Sequence, residues 1–85
     1  MTRNPSLQTL LDEGHNQLDL RNYTAALATF HQAAALEPQN SQVLYGLGLA
    51  CVRLEQYQDA VEYLNQALEI QSNYILALAK SGYGL

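Results

Sequence analysis

The fold of this chain is decided by residues 44–67, which read LYGLGLACVRLEQYQDAVEYLNQA. Small and apolar residues of this stretch recur along the chain at one constant spacing, in the sets Leu10, Leu44 and Leu78; Gly14, Gly48 and Gly82; Tyr23 and Tyr57; Ala26 and Ala60; and Ala33 and Ala67. This spacing, which we call the repeat period, is about 34 residues. A fixed period of that size indicates a short structural unit stacked on copies of itself, because one unit cannot bury its apolar face alone. The sequence therefore predicts a repeat protein whose function belongs to the surface of the stack.

Apolar residues within each unit recur at steps of three and four residues, the spacing of one helix face. Ser6 and Asn22 can each cap a helix start, and Pro38 cannot continue a helix. Ser72-Asn73 is interpreted as the cap of a further helix. The predicted helices cover about residues 7–20, 23–36, 42–54, 57–70 and 74–85.

We expect one domain over residues 7–85, preceded by a flexible segment of residues 1–6. The predicted units of this domain are a first repeat over residues 7–40, a second over 41–74 and the truncated helix of a third over 75–85. Fewer than three complete repeats fall below the number usually needed for independent stability. We therefore expect a fold of modest stability.

The unit resembles the tetratricopeptide repeat, a unit of about 34 residues whose pattern is W-x-x-L-G-x-x-Y, then A-x-x-x-F, A and P. The second repeat carries the resemblance through Leu44, Leu47, Gly48, Cys51, Tyr57, Ala60, Leu64 and Ala67. In the first repeat, Glu13 and Gln17 stand in place of an apolar pair, and in the second Ser72 stands where proline is usual. The resemblance implies an all-α fold of five helices, a right-handed superhelical stack of antiparallel helix hairpins. Gly14 and Ala26 would then lie where two helices approach closely.

Composition excludes several classes of function. Eight acidic residues against four basic ones, with no basic cluster, argue against binding of nucleic acid. The longest apolar stretch, residues 43–52, is interrupted by two glycines and is much shorter than the roughly 20 residues that span a membrane. The lone Cys51 cannot form an internal disulfide, so we expect a cytoplasmic protein.

The resemblance also implies a binding surface, since the first helix of each hairpin in this family lines a concave groove that receives a peptide or a helix. The positions that correspond to this groove by the repeat period are Leu11, Asp12, His15, Asp19, Gln42, Tyr45, Leu49, Arg53, Leu76, Lys80 and Tyr83. Some family members hold a partner's terminal carboxylate with lysine, asparagine and arginine side chains, and of that set this chain keeps only Lys80. An apolar or amphipathic partner segment is therefore favoured. The alternative is that Tyr45 and Leu49 merely pack beneath the neighbouring helix.

No cofactor, metal or catalytic machinery is predicted. Asp12, His15 and Asp19 lie on one helical face at steps that could hold a divalent ion, but such residues on an open helix more often form a solvated edge. Neither a glycine-rich phosphate loop nor a nucleophile elbow occurs. Cys51 occupies a position usually filled by a buried tyrosine, which favours packing over reactivity. The chain is therefore expected not to be an enzyme.

Three functional hypotheses follow from these observations. The first is a protein-interaction module, a scaffold or adaptor that inserts a partner's apolar side chains between Tyr45, Leu49 and Tyr83. The second is a self-associating scaffold, a homo-oligomer formed through the carboxyl-terminal helix with Tyr74 and Leu78. The third is an amino-terminal adaptor domain of a larger protein. In each case the partner is a protein, with no nucleic acid and no membrane.

Overall fold

The computed structural model of the chain describes residues 6–82, and the side chains of residues 6–72. Within that range it contains four α-helices and no strand, the helices being α1 (Leu7–Asp19), α2 (Tyr23–Leu36), α3 (Ser41–Arg53) and α4 (Tyr57–Gly82). The predicted all-α class is confirmed. Of the segment predicted to be flexible, residues 1–5 lie outside the described range, and Ser6 is the N-cap of α1.

Side-chain caps fix the beginnings of α1 and α3. Ser6 Oγ accepts a hydrogen bond of 3.2 Å from the backbone N–H of Thr9. Asn40 Oδ1 accepts two from N–H groups in the first turn of α3, at 2.8 and 3.3 Å. These bonds satisfy amides that have no partner inside the first turn of a helix. Asn22 lies at the predicted N-cap position of α2. Its side chain makes no capping hydrogen bond, so the prediction that this side chain caps the helix is wrong.

The turns that end α1 and α3 have the same backbone geometry. Arg21 and Glu55, which are one repeat period apart, both adopt the left-handed conformation, with φ of 63° and 62°. At the next position, the N–H groups of Asn22 and Gln56 each donate a 2.8 Å hydrogen bond, to the carbonyl groups of Gln17 and Cys51 respectively. This is the usual way to satisfy the last carbonyls of a helix and reverse the chain. The sequence repeat is therefore a repeat of backbone structure as well.

The helices pack as two hairpins, α1 with α2 and α3 with α4, and α2 also packs against α3. Phe30 of α2 is fully buried at the centre, where it faces Gly14 of α1 and Gly46 of α3. α1 and α3 lie beside each other on one face. On another face the rings of His31 and Tyr63 meet edge to face, with centroids 6.3 Å apart. Stacked hairpins explain these contacts, while the right-handed superhelix and the repeat boundaries stay predictions.

The glycines of this core make room mainly for side chains of the facing helix, and less for its backbone. A Cβ atom added to Gly14 would lie 2.6 Å from Cζ of Phe30, closer than real carbon contacts allow. At Gly48 the added atom would lie 2.6 Å from Cδ2 of Leu64 and 3.5 Å from the carbonyl oxygen of Ala60. Gly48 and Ala60 thus do face each other across the hairpin. The tightest contact, however, is with Leu64 in the second hairpin and with Phe30 in the first.

The predicted fifth helix does not exist as a separate element. α4 continues without a break from Tyr57 to Gly82, through the Ser72-Asn73 pair that was interpreted as a cap. The reason lies in the position one repeat period after Pro38, which Ser72 occupies. Pro38 follows the end of α2 and cannot join a helix interior, because it lacks an N–H group and clashes with the preceding turn. Serine has neither defect, so nothing in the sequence stops α4 there.

Candidate partner-binding groove

A groove runs between α1 and α3 and consists of two adjoining pockets of about 330 and 500 Å³. We call it the α1–α3 groove, and its lining residues are Gln8, Leu11, Asp12, His15, Leu18, Asp19, Arg21, Tyr23, Gln42, Tyr45, Leu49 and Arg53. It exists because two first helices of successive hairpins lie side by side, with α2 packed against both of them. The smaller pocket lies towards the amino-terminal ends of the two helices and the larger towards their carboxyl-terminal ends.

The structure brings together in this groove the predicted site residues whose side chains it describes. These residues are Leu11, Asp12, His15, Asp19, Gln42, Tyr45, Leu49 and Arg53. Leu76 and Lys80 lie within α4 rather than on a fifth helix, and their side chains are outside the described residues, as is Tyr83 altogether. Their assignment to the groove, like the binding role of the whole set, stays a prediction.

The smaller pocket has an apolar and aromatic surface with a polar edge. Tyr45 exposes 52% of its surface, so its ring is open to a partner instead of being covered by the neighbouring helix. Leu11 is only 5% exposed and belongs mainly to the core beneath the pocket. Gln8 Nε2 donates a 2.9 Å hydrogen bond to Oδ1 of Asp12, which fixes both polar side chains along the rim. The tyrosine ring is therefore far more exposed than the leucine beside it.

The larger pocket is mostly polar and carries charges of both signs. Asp19 contributes a carboxylate, while Arg21 and Arg53 contribute guanidinium groups, beside the half-buried Leu49. Guanidinium groups form paired hydrogen bonds with carboxylates, so this end of the groove suits a polar or acidic part of a ligand. The groove as a whole thus changes from aromatic at one end to charged at the other.

His15 links the two pockets to the core. Its side chain lines both pockets, and its ring meets the ring of Phe30 edge to face, with centroids 5.4 Å apart. Phe30 is in turn held between Gly14 and Gly46. The floor of the groove is therefore positioned by the best packed part of the molecule, which favours a preformed surface over one that orders on binding.

Four lining residues were missed by the sequence reasoning: Gln8, Leu18, Arg21 and Tyr23. The signal for Gln8 was available, because it lies one repeat period before Gln42, which was predicted. Arg21 reaches the groove because its left-handed backbone turns the chain at the end of α1. Such a conformation is common for glycine and uncommon for arginine, so the residue type gave no warning of it.

Cys51 is buried among the helices and is a free thiol. Burial raises the pKa of this thiol above its ordinary value, and the nearby Asp59 carboxylate raises it further. Because the thiolate is the reactive form, the side chain is inert at neutral pH and serves packing. Among residues 6–72, whose side chains are described, no cluster of three or more histidine, cysteine or acidic side chains could hold a metal ion.

Comparison with known proteins agrees with this architecture. The sequence model described as tetratricopeptide repeat matches residues 11–75, which is most of the chain. The chain belongs to the tetratricopeptide repeat family. None of the helices described within residues 6–82 has the length and hydrophobicity that a membrane span requires.

Three curated relatives illustrate the breadth of the match. The chain is 34% identical over 64 residues to the photosystem I assembly protein Ycf3 of Acaryochloris marina, which covers 72% of this chain and 39% of that protein. It is 39% identical over 51 residues to a TPR repeat-containing protein of Picosynechococcus sp., covering 60% of this chain and 13% of the relative. It is 39% identical over 49 residues to the SGT1 homolog of Oryza sativa subsp. japonica, covering 58% and 13%. The chain thus spans well under half the length of each. No solved structure matches it.

Proposed function

We propose that this chain is a protein-interaction module that holds a segment of a partner protein in the α1–α3 groove. The observation that carries the proposal is the convergence in one groove of register-equivalent residues from two repeats, with the half-exposed Tyr45 in its smaller pocket. Exposed aromatic rings on a rigid surface are common anchors of protein interfaces. Membership of a family of interaction repeats supports the same conclusion.

The partner is a peptide or a helix with one apolar or amphipathic part and one polar part. Its apolar side chains would rest on Tyr45 and Leu49, and its polar end would meet Asp19 and Arg53. Asp12 and His15 supply polar contacts towards the aromatic end. This division follows the change in character along the groove. The module is proposed to act by binding alone, as a non-enzymatic scaffold in the cytoplasm.

The test is capture of partners on the immobilised chain from lysate of its native cells, followed by affinity measurement on the partner segment identified. The double variant Tyr45→Ala and Leu49→Ala should weaken the affinity at least tenfold while the helical circular dichroism stays unchanged. A matched control is Leu36→Ala, because Leu36 is 50% exposed but lies outside the groove. Equal affinity for the double variant, or a loss only with Leu36→Ala, would reject the groove as the binding site.

A second candidate is an adaptor within a larger protein. The observation that favours it is that the alignments cover only 39% and 13% of the relatives described above. In those proteins the matched repeats form one part of a longer chain. Comparison of this sequence with its complete reading frame tests the idea, and a reading frame that adds no further domain would exclude it.

A further inference from the structure

A second groove, separate in character from the first, lies between α3 and α4. It has a volume of about 500 Å³ and we call it the α3–α4 groove, lined by Ser41, Gln42, Tyr45, Leu64, Ala67, Leu68 and Gln71. Leu64, Ala67 and Leu68 supply an apolar wall from α4. Leu68 is 60% exposed, so this wall places a large apolar side chain on a surface that is open to solvent. An exposed apolar wall of this kind marks a contact site.

The wall is part of a longer stripe along α4. Tyr57, Val61, Leu64 and Leu68 follow one another at steps of four, three and four residues, and Tyr57, Val61 and Leu68 are 58%, 56% and 60% exposed. In the sequence of the helix the same step continues through Gln71 to Ile75 and Leu78. We call residues 57, 61, 64, 68, 71, 75 and 78 the α4 stripe. Its mean period of about 3.5 residues is the period of helices that pair side by side along their length.

The rows that border the stripe carry no charge. One row contains Gln58, Asn65 and Ser72, and the other contains Ala60 and Ala67. The acidic residues of α4 (Asp59, Glu62 and Glu69) lie outside both rows. In paired helices the bordering rows flank the seam and their side chains can meet across it, so like charges there would oppose pairing of identical chains. The chain has a net charge of −4, yet this face keeps charge away from the seam.

We propose that the α3–α4 groove and the α4 stripe bind α4 of a second copy of this chain, in the antiparallel orientation. A second copy supplies a helix of matching pattern, because the stripe continues in the sequence of α4 past the residues that line the groove. α3 has 13 residues and α4 has 26, or about 20 and 39 Å, so α3 can flank only half of α4. In the antiparallel arrangement the half beyond α3 enters the partner's groove, and a two-fold axis makes the exchange mutual.

The parallel arrangement does not fit the same surfaces. It would bring the half of α4 that is flanked by α3 against the corresponding half of the partner's α4. Both copies of α3 would then lie beside the same half of the helix pair, and the half of α4 beyond α3 would enter no groove. The antiparallel arrangement instead lays residues 73–82 of one chain along residues 57–66 of the other, and residues 67–72 of the two chains along each other. It therefore covers Val61 and Leu68 in both copies at once. The α3–α4 groove shares Gln42 and Tyr45 with the α1–α3 groove, but its wall from α4 belongs to it alone, so the inference does not depend on partner binding in the α1–α3 groove.

The experiment is sedimentation equilibrium of the 85-residue chain from about 1 to 100 μM. We expect a mass twice that of one chain at the upper end and reversible dissociation on dilution. Leu68→Glu, at an exposed position, should weaken the dimer at least tenfold while leaving the circular dichroism of the helices unchanged. Gln66→Glu is the matched control, because it adds the same charge to an exposed site away from the stripe. A monomer throughout, or a dimer indifferent to Leu68→Glu, overturns the proposal.

Orientation has its own test. In the antiparallel pair centred between Leu68 and Gln71, the two copies of residue 71 lie close together, whereas those of residue 58 lie about 35 Å apart. A short bis-maleimide should therefore cross-link the Gln71→Cys chain into dimers and leave the Gln58→Cys chain as monomers. The native Cys51 is buried and serves as the unreactive background. Cross-linking through residue 58 would reject the antiparallel arrangement.

Discussion

The two hairpins of this molecule share one backbone plan but differ in what covers them. In the first, Phe30 is completely buried between Gly14 and Gly46. In the second, the register-equivalent residue is Leu64, which faces Gly48 but remains partly exposed beside the α3–α4 groove. The difference arises because α3 packs against α2, whereas the corresponding side of α4 stands open within the described residues. The same repeat position is therefore core in one hairpin and surface in the other.

A second pair of equivalent positions differs in chemistry. In the first hairpin Thr29 Oγ1 donates a 2.6 Å hydrogen bond to Oε1 of Gln17, and Thr29 is only 3% exposed. In the second hairpin the equivalent positions, one repeat period further along, hold Cys51 and Tyr63. The first pair is held by a neutral hydrogen bond, while the second contains two groups that can ionise. A polar residue in a repeat core is thus accepted when its partner is present in the facing helix.

The largest expected difference between the hairpins concerns their central side chains. Phe30→Ala should lower the free energy of unfolding by about 3 to 5 kcal/mol, because it leaves a cavity between three helices. Leu64→Ala should cost about 2 kcal/mol or less, since part of that side chain already meets solvent. Chemical denaturation followed by circular dichroism measures both values. Concentrations below about 1 μM keep self-association through the α4 stripe out of the comparison.

Equal costs for Phe30→Ala and Leu64→Ala would contradict this account, because they would mean that the second hairpin is covered as fully as the first. Ala33→Gly provides a reference for the loss of packing in a site buried to the same degree as Phe30. It removes one methyl group and adds the helix cost of glycine, about 1 kcal/mol. Its cost should therefore fall well below that of Phe30→Ala.

A smaller difference is expected when the glycines are replaced. In Gly14→Ala the new Cβ would lie 2.6 Å from a Phe30 ring that cannot move, because Gly46 encloses its other side. The clash should cost about 1 to 3 kcal/mol, reduced by the better helix propensity of alanine, about 1 kcal/mol. In Gly48→Ala the neighbour is the partly exposed Leu64, which can turn towards solvent, so stability should stay within about 0.5 kcal/mol of the native chain. Thermal unfolding of the two variants side by side checks the contrast, and a reversed order would refute it.

Most of the fold could be predicted from the sequence because the repeat constrains it twice. The positions of α1, α2 and α3 follow from the helical spacing and from turn residues that recur after one repeat period. The length of α4 could not be predicted in the same way. The spacing that places a turn after residue 70 describes where a repeat usually ends, but only a residue such as Pro38 forces the end. Ser72 leaves the choice to packing, which a local pattern does not contain.

The candidate groove divides along similar lines. Positions such as His15 and Leu49 were predicted from the family resemblance and the repeat period together, because residues on the same face of equivalent helices lie on the same side of the stack. Arg21 was not, since its place depends on a left-handed backbone that arginine adopts only under the demand of the turn. The repeat period also could not predict how deeply each residue of the groove is buried. Leu11 and Tyr45 are equivalent positions, yet one is in the core and the other is half exposed.

The smallest predicted effect is a dependence on pH that belongs to the second hairpin. Burial, with help from Asp59, raises the pKa of Cys51, and burial together with Cys51, Asp59 and Glu62 raises that of Tyr63. At pH 7 the thiol is protonated in both the folded and the unfolded chain, so it contributes no pH dependence. As the pH rises through the ordinary range of a thiol, about 8.5, the unfolded chain releases this proton more readily than the folded chain, so stability falls as the pH rises. Denaturation at pH 7 and pH 9 should show a smaller fall in Cys51→Ala than in the native chain, and an identical fall would show that the buried thiol does not cause it.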